Sequence, residues 1–140
     1  DPVLKTLMNI HGVGKHLEVV NLMIPTLNDD PNDVRRMCRW ILKNLGEDTP
    51  MHFSRFYPNY KMLNLPPTPI ETLESAYAIA TEEGLHYVTL GNVPGHEYNS
   101  TFCPHCKKKI IYRIQYNIRE INVTDGKCKF CGHPIAGIWY

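Results

Sequence analysis

Two pairs of cysteines limit the possible structures of this chain more than any other feature of its sequence. Cys103 and Cys106 are separated by two residues, as are Cys128 and Cys131, and 21 residues lie between the pairs. A spacing of two lets one tight turn direct two thiolates toward a single ion, and a β-hairpin in the intervening segment would bring the second turn beside the first. We therefore predict one tetracysteine metal site in a small antiparallel ribbon that ends the chain.

The predicted ligand set also indicates what the metal does. Four thiolates favour tetrahedral zinc, although mononuclear iron uses similar spacing and remains an alternative. Because four protein ligands leave no open coordination position, we expect a structural ion, supporting a module of about 40 residues that is too small to bury a sufficient core alone. Gly132 follows the second pair, where such a turn commonly needs a positive φ angle. His105 and His133 lie within and beside the pairs, and we interpret them as hydrogen-bonding neighbours rather than ligands.

The composition is that of a folded protein in a reducing compartment. Hydrophobic residues make up 43% and charged residues 21% of the chain, which excludes a disordered or collagen-like protein. No apolar run is long enough to cross a bilayer, so we expect no membrane partner. The fifth cysteine, Cys38, falls on the apolar stripe of a predicted helix and is expected to be a core residue. Metal binding in the cytoplasm therefore explains the cysteines better than a secreted disulfide framework does.

Charge is divided unevenly along the chain. Residues 103–140 contain seven basic and two acidic residues, whereas the whole chain has a net charge of +1. Basic residues alternate with tyrosines there, at Lys107–Lys109, Tyr112, Arg113 and Tyr116, a pattern typical of nucleic-acid surfaces. Since no such pattern continues into the preceding residues, we interpret the lysines as a solvated face and do not expect nucleic acid as a partner. The alternative is a non-catalytic zinc-ribbon module that binds protein or nucleic acid.

Residues 1–98 alternate between predicted helices and strands. Each helix begins with a capping residue followed by proline, at Asp1-Pro2, Asp30-Pro31 and Thr68-Pro69. The third helix also has Glu71, three residues after Thr68, as in a capping box, and Gly84 as its stop. The predicted strands are residues 17–24, 51–56 and 86–91.

One amphipathic helix between successive strands implies right-handed crossovers and a parallel sheet. The first strand is mostly apolar, as expected of a parallel strand that is covered on both faces. We predict an α/β fold over residues 1–98, followed by the antiparallel zinc ribbon over residues 99–140, whose last strand lies in residues 135–140. A helix at the very start of the chain normally returns from an earlier strand, so we expect a C-terminal piece of a longer protein.

Polar residues gather where the predicted strands end, which is where parallel α/β sheets place their functional groups. Asn28 follows the first strand, His52 and Arg55 lie in the second, and Asn92 and His96 follow the third. Arg55 could pair with an anionic ligand, and His52 could transfer a proton or orient a carbonyl group. The alternative for His52 and Arg55 is that they bond to neighbouring backbone or carboxylate groups. Asn28, Asn92 and His96 are weaker candidates, because asparagine and histidine are common turn residues.

The sequence also resembles a known family. Two segments resemble the C-terminal half of the radical S-adenosylmethionine protein of the AmmeMemoRadiSam system. They are residues 17–30 (LEVVNLMIPTLNDD) and residues 50–106 (PMHFSRFYPNYKMLNLPPTPIETLESAYAIATEEGLHYVTLGNVPGHEYNSTFCPHC). That protein is a relative of pyruvate formate-lyase activating enzymes. The resemblance runs through nearly the whole chain, including the tetracysteine segment.

The resemblance implies a fragment of a partial (β/α) barrel, in which this chain supplies the later strands. Ile24-Pro25 and the strand from His52 to Arg55 would then face the cavity for S-adenosylmethionine and substrate. The family's cysteine triad, Cys-x-x-x-Cys-x-x-Cys, holds a 4Fe-4S cluster and is absent from this sequence. We therefore expect the cluster and S-adenosylmethionine only in the intact parent protein, with the upstream half of the same barrel as a partner, and no catalysis by this chain alone.

Overall fold

The structure, a computed structural model, describes residues 1–139. Its first part alternates helix and strand in the predicted order: α1 (Pro2–Gly12), β1 (Val19–Met23), α2 (Pro31–Leu45), β2 (Met51–Arg55), α3 (Ile70–Glu83) and β3 (Val88–Gly91). The three strands form one parallel sheet in the order β1-β2-β3. The prediction of a mixed α/β fold with a parallel sheet is therefore confirmed.

The remainder of the described chain forms two small antiparallel sheets. A 3-10 turn (Glu97–Asn99) leads to β4 (Thr101–Phe102), β5 (Lys109–Ile114), β6 (Asn117–Ile121), β7 (Val123–Thr124) and β8 (Lys127–Cys128). Strands β4, β5 and β6 form one sheet, and β7 pairs with β8 in the other. The long insertion between the cysteine pairs thus contains the expected hairpin, which turns at Gln115 and Tyr116.

The prediction of a last strand over residues 135–140 is wrong for residues 135–139, which are the part that the structure describes. Only an isolated bridge between Lys127 and Pro134 forms near them. Beyond this bridge residues 135–139 pair with no strand, and the indole Nε1 of Trp139 donates to the carbonyl oxygen of Ile135, four residues earlier, at 2.9 Å. Tyr140 lies outside the described residues.

Helix α2 shows how local sequence sets an element and the core beneath it. The Asp30 side chain accepts hydrogen bonds from the backbone N–H groups of Asn32 and Asp33, which otherwise lack helical partners. Four apolar side chains at helical spacing are buried against the sheet: Val34, Cys38, Ile41 and Leu45. Burial, aided by the carboxylate of Glu83, raises the pKa of the Cys38 thiol to about 11. Cys38 is therefore the core residue that the sequence predicted.

The capping box predicted at Thr68 and Glu71 is wrong. Helix α3 begins at Ile70, and no side chain bonds to its first N–H groups. Thr68 is fully buried, and its hydroxyl donates to the carbonyl oxygen of Met23 and accepts from the backbone N–H of Phe56. The Thr68 hydroxyl therefore bonds to backbone groups that are distant in sequence and does not cap the helix. Gly84 ends the helix as predicted, with a φ angle of 111°.

We expect Thr68→Val to lower the free energy of unfolding by about 1–3 kcal/mol, because it leaves a buried carbonyl oxygen and a buried N–H without partners. Thr6→Val is the matched control, since the Thr6 hydroxyl is exposed on α1 and bonds only to the carbonyl oxygen of Pro2. Its expected change is within about 0.5 kcal/mol. Urea denaturation of both variants measures the difference, and equal midpoints would contradict the role assigned to Thr68.

One face of the parallel sheet lacks a helical cover within residues 1–139. Helices α2 and α3 pack on the other face, where Met23, Met51 and Phe53 are almost completely buried. Val20 and Leu22 point away from the helices and are 66% and 44% exposed. The expectation that β1 is covered on both faces is therefore wrong for the described chain, because both helices lie on the same side.

Tyr87 is one of the residues that join the parallel sheet to the antiparallel part. Tyr87, immediately before β3, is buried in a cluster with Cys103, Ile110, Cys128 and Ile135. Its hydroxyl accepts a hydrogen bond of 3.1 Å from the backbone N–H of Ala136. The division into residues 1–98 and 99–140 stays a prediction. This cluster contains residues from both sides of that boundary.

None of the helices within residues 1–139 has the length and apolar content needed to span a bilayer.

Candidate metal centre

The four paired cysteines converge on one point. The sulfur atoms of Cys103, Cys106, Cys128 and Cys131 all lie within 4.8 Å of one another. The Sγ atoms of Cys103 and Cys131 are 3.8 Å apart, and those of Cys106 and Cys128 are 3.7 Å apart. A tetrahedral ion with metal–sulfur bonds of about 2.3 Å requires edges of about 3.8 Å. The donor set and its spacing therefore fit a tetrahedral metal ion.

The two cysteine turns have the same local backbone structure. In the first, the N–H of Lys107 donates to the carbonyl oxygen of Cys103 at 3.0 Å, and in the second the N–H of Gly132 donates to that of Cys128 at 2.8 Å. Both donors have positive φ angles, 59° at Lys107 and 74° at Gly132. The prediction for Gly132 is confirmed. Lys107 adopts the same conformation although side chains disfavour it.

The thiols strongly affect one another's ionisation. Burial acts to raise the pKa of the Cys128 thiol, but the backbone N–H groups of Phe130 and Cys131, with the neighbouring thiols, lower it to about 7. The backbone N–H of His133 acts to lower the pKa of Cys131, whereas burial and the other three thiols raise it to about 12. Hydrogen bonds among the thiols thus favour the thiolate of Cys128 and oppose that of Cys131. A divalent cation at the centre would remove that opposition.

The two histidines beside the cysteines pair with each other. The rings of His105 and His133 are stacked, with centroids 5.2 Å apart and an angle of 10° between their planes. Within residues 1–139, the ligand group around the four sulfur atoms contains cysteines alone. This arrangement agrees with the interpretation of both histidines as neighbours of the site.

The candidates at the strand ends bond mainly to the protein itself. Arg55 donates through Nε to the carbonyl oxygen of Thr68 at 2.8 Å and through a terminal nitrogen to the Tyr57 hydroxyl at 3.0 Å. The Asn28 side chain accepts from the N–H of Ile24 and donates to the carbonyl oxygen of Leu22, so it holds the loop after β1. Both therefore have structural roles in the described chain.

Two more candidates follow β3. Asn92 has a φ angle of 58°, and its amide donates to the Ser54 hydroxyl and to the carbonyl oxygen of Arg55. His96 bonds through Nε2 to Glu74 of α3 at 3.0 Å, and its Nδ1 accepts from the N–H of Tyr98. Asn92 therefore lies beside the end of β2, whereas His96 is tied to a helix.

His52 lies on the uncovered sheet face and joins a polar network. Its Nδ1 lies 2.6 Å from the Thr89 hydroxyl, and its Nε2 lies 2.8 Å from a carboxylate oxygen of Glu18. The other Glu18 oxygen bonds to His16 at 2.9 Å. Hydrogen bonds from His16 and His52 lower the pKa of Glu18, although burial opposes them. With Asn92, His52 borders a cavity of about 350 Å³ on this face.

Three residues that the sequence did not single out as candidates lie close to this face: Glu18, Asn99 and Arg113. Arg113 stood within a basic run, and Asn99 within a connector rich in turn residues. The only available signal was a carboxylate beside a mostly apolar strand, at Glu18. These three residues are close together because of the way the hairpin lies over the sheet. Neither the spacing of residues in the sequence nor its composition predicts that arrangement.

Comparison with known proteins gives one informative similarity. No family model matches the chain. The chain is similar to "Uncharacterized protein MJ0808" of Methanocaldococcus jannaschii, with 47% identity over 137 residues, or 96% of the chain. The match covers 41% of that relative, so the chain spans about two fifths of the length of the relative that it matches.

Proposed function

We propose that this chain supplies the later β/α units of a radical S-adenosylmethionine enzyme and carries a structural zinc ion at its tetracysteine site. The observation that carries this proposal is the parallel sheet, which within residues 1–139 has helices on one face only. In a β/α barrel the helices form the outer layer, and the opposite face of the strands lines the interior. Val20 and Leu22, 66% and 44% exposed on that opposite face, are the kind of side chains that further strands of a barrel would bury.

The polar side chains on this face support an interior role. His52, Ser54 and Asn92 border the cavity of about 350 Å³, together with the ends of β2 and β3. Ligands of parallel α/β sheets bind at the carboxyl ends of the strands. The sequence resemblance to the AmmeMemoRadiSam radical protein, carried by residues 17–30 and 50–106, favours S-adenosylmethionine and a substrate as occupants in the complete enzyme.

The cluster must come from outside this chain. The five cysteines stand at positions 38, 103, 106, 128 and 131, and none of their spacings gives Cys-x-x-x-Cys-x-x-Cys. The upstream part of the barrel would therefore hold the 4Fe-4S cluster in a longer protein. The 47% identity to a relative of greater length is consistent with such a parent.

Zinc is the metal that best suits the tetracysteine site. Four thiolates at tetrahedral spacing satisfy zinc completely, and they leave no position for water or substrate. Its expected role is to hold Cys103 and Cys128 in the cluster around Tyr87, which anchors the ribbon to β3. The radical chemistry would take place on the sheet face and not at this ion.

Nucleic-acid binding by the ribbon is the weaker proposal. The ammonium of Lys109 lies 4.7 Å from the ring centre of Tyr112 and 5.8 Å from that of Phe102, and Lys108 lies 5.0 Å from that of Phe130. These lysines therefore cover the aromatic faces on which bases would stack. Tyr116, which is 93% exposed, is a single residue at the hairpin turn.

Formation of 5′-deoxyadenosine tests the enzymatic proposal. The Methanocaldococcus jannaschii relative, reconstituted with iron and sulfide without oxygen, should produce it from S-adenosylmethionine and dithionite. The 140-residue chain, treated identically, should produce none because it lacks the triad. Chromatography with mass detection measures the product. No product from a relative that has bound its cluster, or product from this chain alone, would contradict the proposal.

A further inference from the structure

A second cavity adjoins the first on the same face of the parallel sheet and extends toward the amino-terminal ends of the strands; both cavities are lined by His52, Asn99, Gln115 and Tyr116. The second cavity has a volume of about 440 Å³, and its lining includes Glu18, Pro50 and Tyr87. These residues immediately precede β1, β2 and β3. The antiparallel part forms the facing wall, with β5 and the segment around Trp139. The cavity is therefore built jointly by the sheet and the ribbon, toward the amino-terminal edge of the sheet.

Arg113 brings a cation with unused donors into this cavity. One terminal nitrogen of its guanidinium donates to the Thr101 hydroxyl at 2.6 Å, and Thr101 also lines the cavity. Among residues 1–139, the guanidinium makes no other hydrogen bond or ion pair. Burial lowers the pKa of Arg113, and the nearby Glu18 carboxylate opposes that shift. A guanidinium has five N–H donors in a planar fork that matches a carboxylate, so most of its binding capacity is open.

Asn99 adds an unsatisfied acceptor beside the arginine. The residue is only 9% exposed and borders both cavities. Its Nδ2 donates to the carbonyl oxygen of Leu90 at 2.7 Å, which identifies the other amide atom as oxygen. That Oδ1 atom is buried and has no hydrogen-bond partner within residues 1–139. A buried acceptor without a partner is costly, so a small movement of the side chain toward a ligand's N–H or O–H group would be favourable.

Hydrogen bonding places the chain segments that carry these two groups side by side. The N–H of Arg113 donates to the Ser100 hydroxyl at 3.2 Å, and Ser100 directly follows Asn99. Apolar side chains complete the cavity, among them Ile111, Ile135 and Trp139. The cavity lining thus offers a cationic fork, an acceptor on the neighbouring segment and an apolar wall.

We infer that this cavity binds a small carboxylate that carries a hydroxyl or amino group on the neighbouring carbon. The carboxylate pairs with Arg113, and the adjacent O–H or N–H donates to Asn99 Oδ1. An apolar substituent of the ligand packs against Ile111 and Ile135. This inference does not depend on the proposed radical chemistry, because binding of a carboxylate at Arg113 requires neither S-adenosylmethionine nor an iron–sulfur cluster.

A pair of probes that differ by one hydroxyl tests the inference. Racemic 3-phenyllactate has the carboxylate, the neighbouring hydroxyl and an aromatic ring, whereas 3-phenylpropionate lacks only the hydroxyl. Each is titrated into the zinc-loaded chain, with nitrogen-15 NMR detection of the Arg113 Nε–H and the Asn99 side-chain amide. We expect phenyllactate to shift both signals and to bind at least about tenfold more tightly than phenylpropionate, since the latter leaves Asn99 unpaired.

Variants locate the site. Arg113→Gln should weaken phenyllactate binding by about tenfold or more, because it removes the charged fork. Arg119→Gln is the matched control, since Arg119 lies on the exposed strand β6 and borders neither cavity; its expected change is below about twofold. Equal affinity for the two probes, or no shift at either side chain with phenyllactate at tens of millimolar, would overturn the inference. The probe comparison uses the unaltered chain, so it decides the question even if Arg113→Gln misfolds.

Discussion

Replacing Cys106 with serine is expected to weaken metal binding by on the order of a hundredfold or more. Structural zinc sites provide about 10–16 kcal/mol of apparent binding free energy, so each of four thiolates accounts for about 3 kcal/mol. The Cys106 sulfur lies 3.7 Å from that of Cys128, on one edge of the sulfur tetrahedron. Serine places a neutral hydroxyl there and leaves three ligands. Competition with a chromophoric chelator measures the affinity of each protein.

Cys38→Ala is the matched control for that substitution. It also removes one thiol, but Cys38 is buried in the core of the parallel sheet and belongs to no metal-ligand group within residues 1–139. We expect its metal affinity to stay within about twofold, although a cavity in the core lowers stability. Equal affinities for Cys106→Ser and the unaltered chain, or an equal loss in Cys38→Ala, would contradict the assigned ligand set.

Removal of the metal is expected to unfold the ribbon while the parallel sheet persists. The buried cluster of the ribbon contains Tyr87, Ile110 and Ile135 together with two of the cysteines, Cys103 and Cys128. So small a cluster cannot offset the conformational entropy of the ribbon without the ion. A bound ligand present at about a thousand times its Kd adds about 4 kcal/mol of stability, which corresponds to about a thousandfold in hydrogen-exchange protection.

Amide hydrogen exchange detects this change residue by residue. In the folded chain the Cys103 and Asn122 amides donate to the carbonyl oxygens of Lys108 and Ile110. After chelation these two amides should lose their protection against exchange. The Met51 amide, which donates to the carbonyl oxygen of Tyr87, and Phe53 in β2 should keep most of theirs. Unchanged exchange in the ribbon after complete metal removal would show that the fold does not depend on the ion.

Features encoded by neighbouring residues could be predicted from the sequence. The cap at Asp30 and the stop at Gly84 depend on a few adjacent backbone groups, and both are present in the structure. The Cys-x-x-Cys spacing likewise fixes each metal turn locally, so the convergence of the four sulfur atoms needed only a hairpin between the turns.

Features that depend on distant residues could not be predicted in this way. Thr68 has the sequence context of a helix cap, yet its hydroxyl bonds to Met23, 45 residues earlier in the chain. The sequence of an apolar strand such as β1 does not show which of its faces a helix covers. Val20 is exposed because α2 and α3 both pack on the other face of the sheet. Arg113 and Asn99 line the same cavity because the hairpin packs against the sheet, and no local pattern in the sequence indicates that packing.

X-ray absorption at the zinc edge, with elemental analysis of the same sample, tests the tetracysteine site most directly. We expect one zinc ion per chain with four sulfur neighbours at about 2.3 Å and no nitrogen or oxygen in the first coordination shell. A chain that binds no metal, or a zinc ion with fewer than four sulfur neighbours, would contradict the structural zinc centre formed by Cys103, Cys106, Cys128 and Cys131.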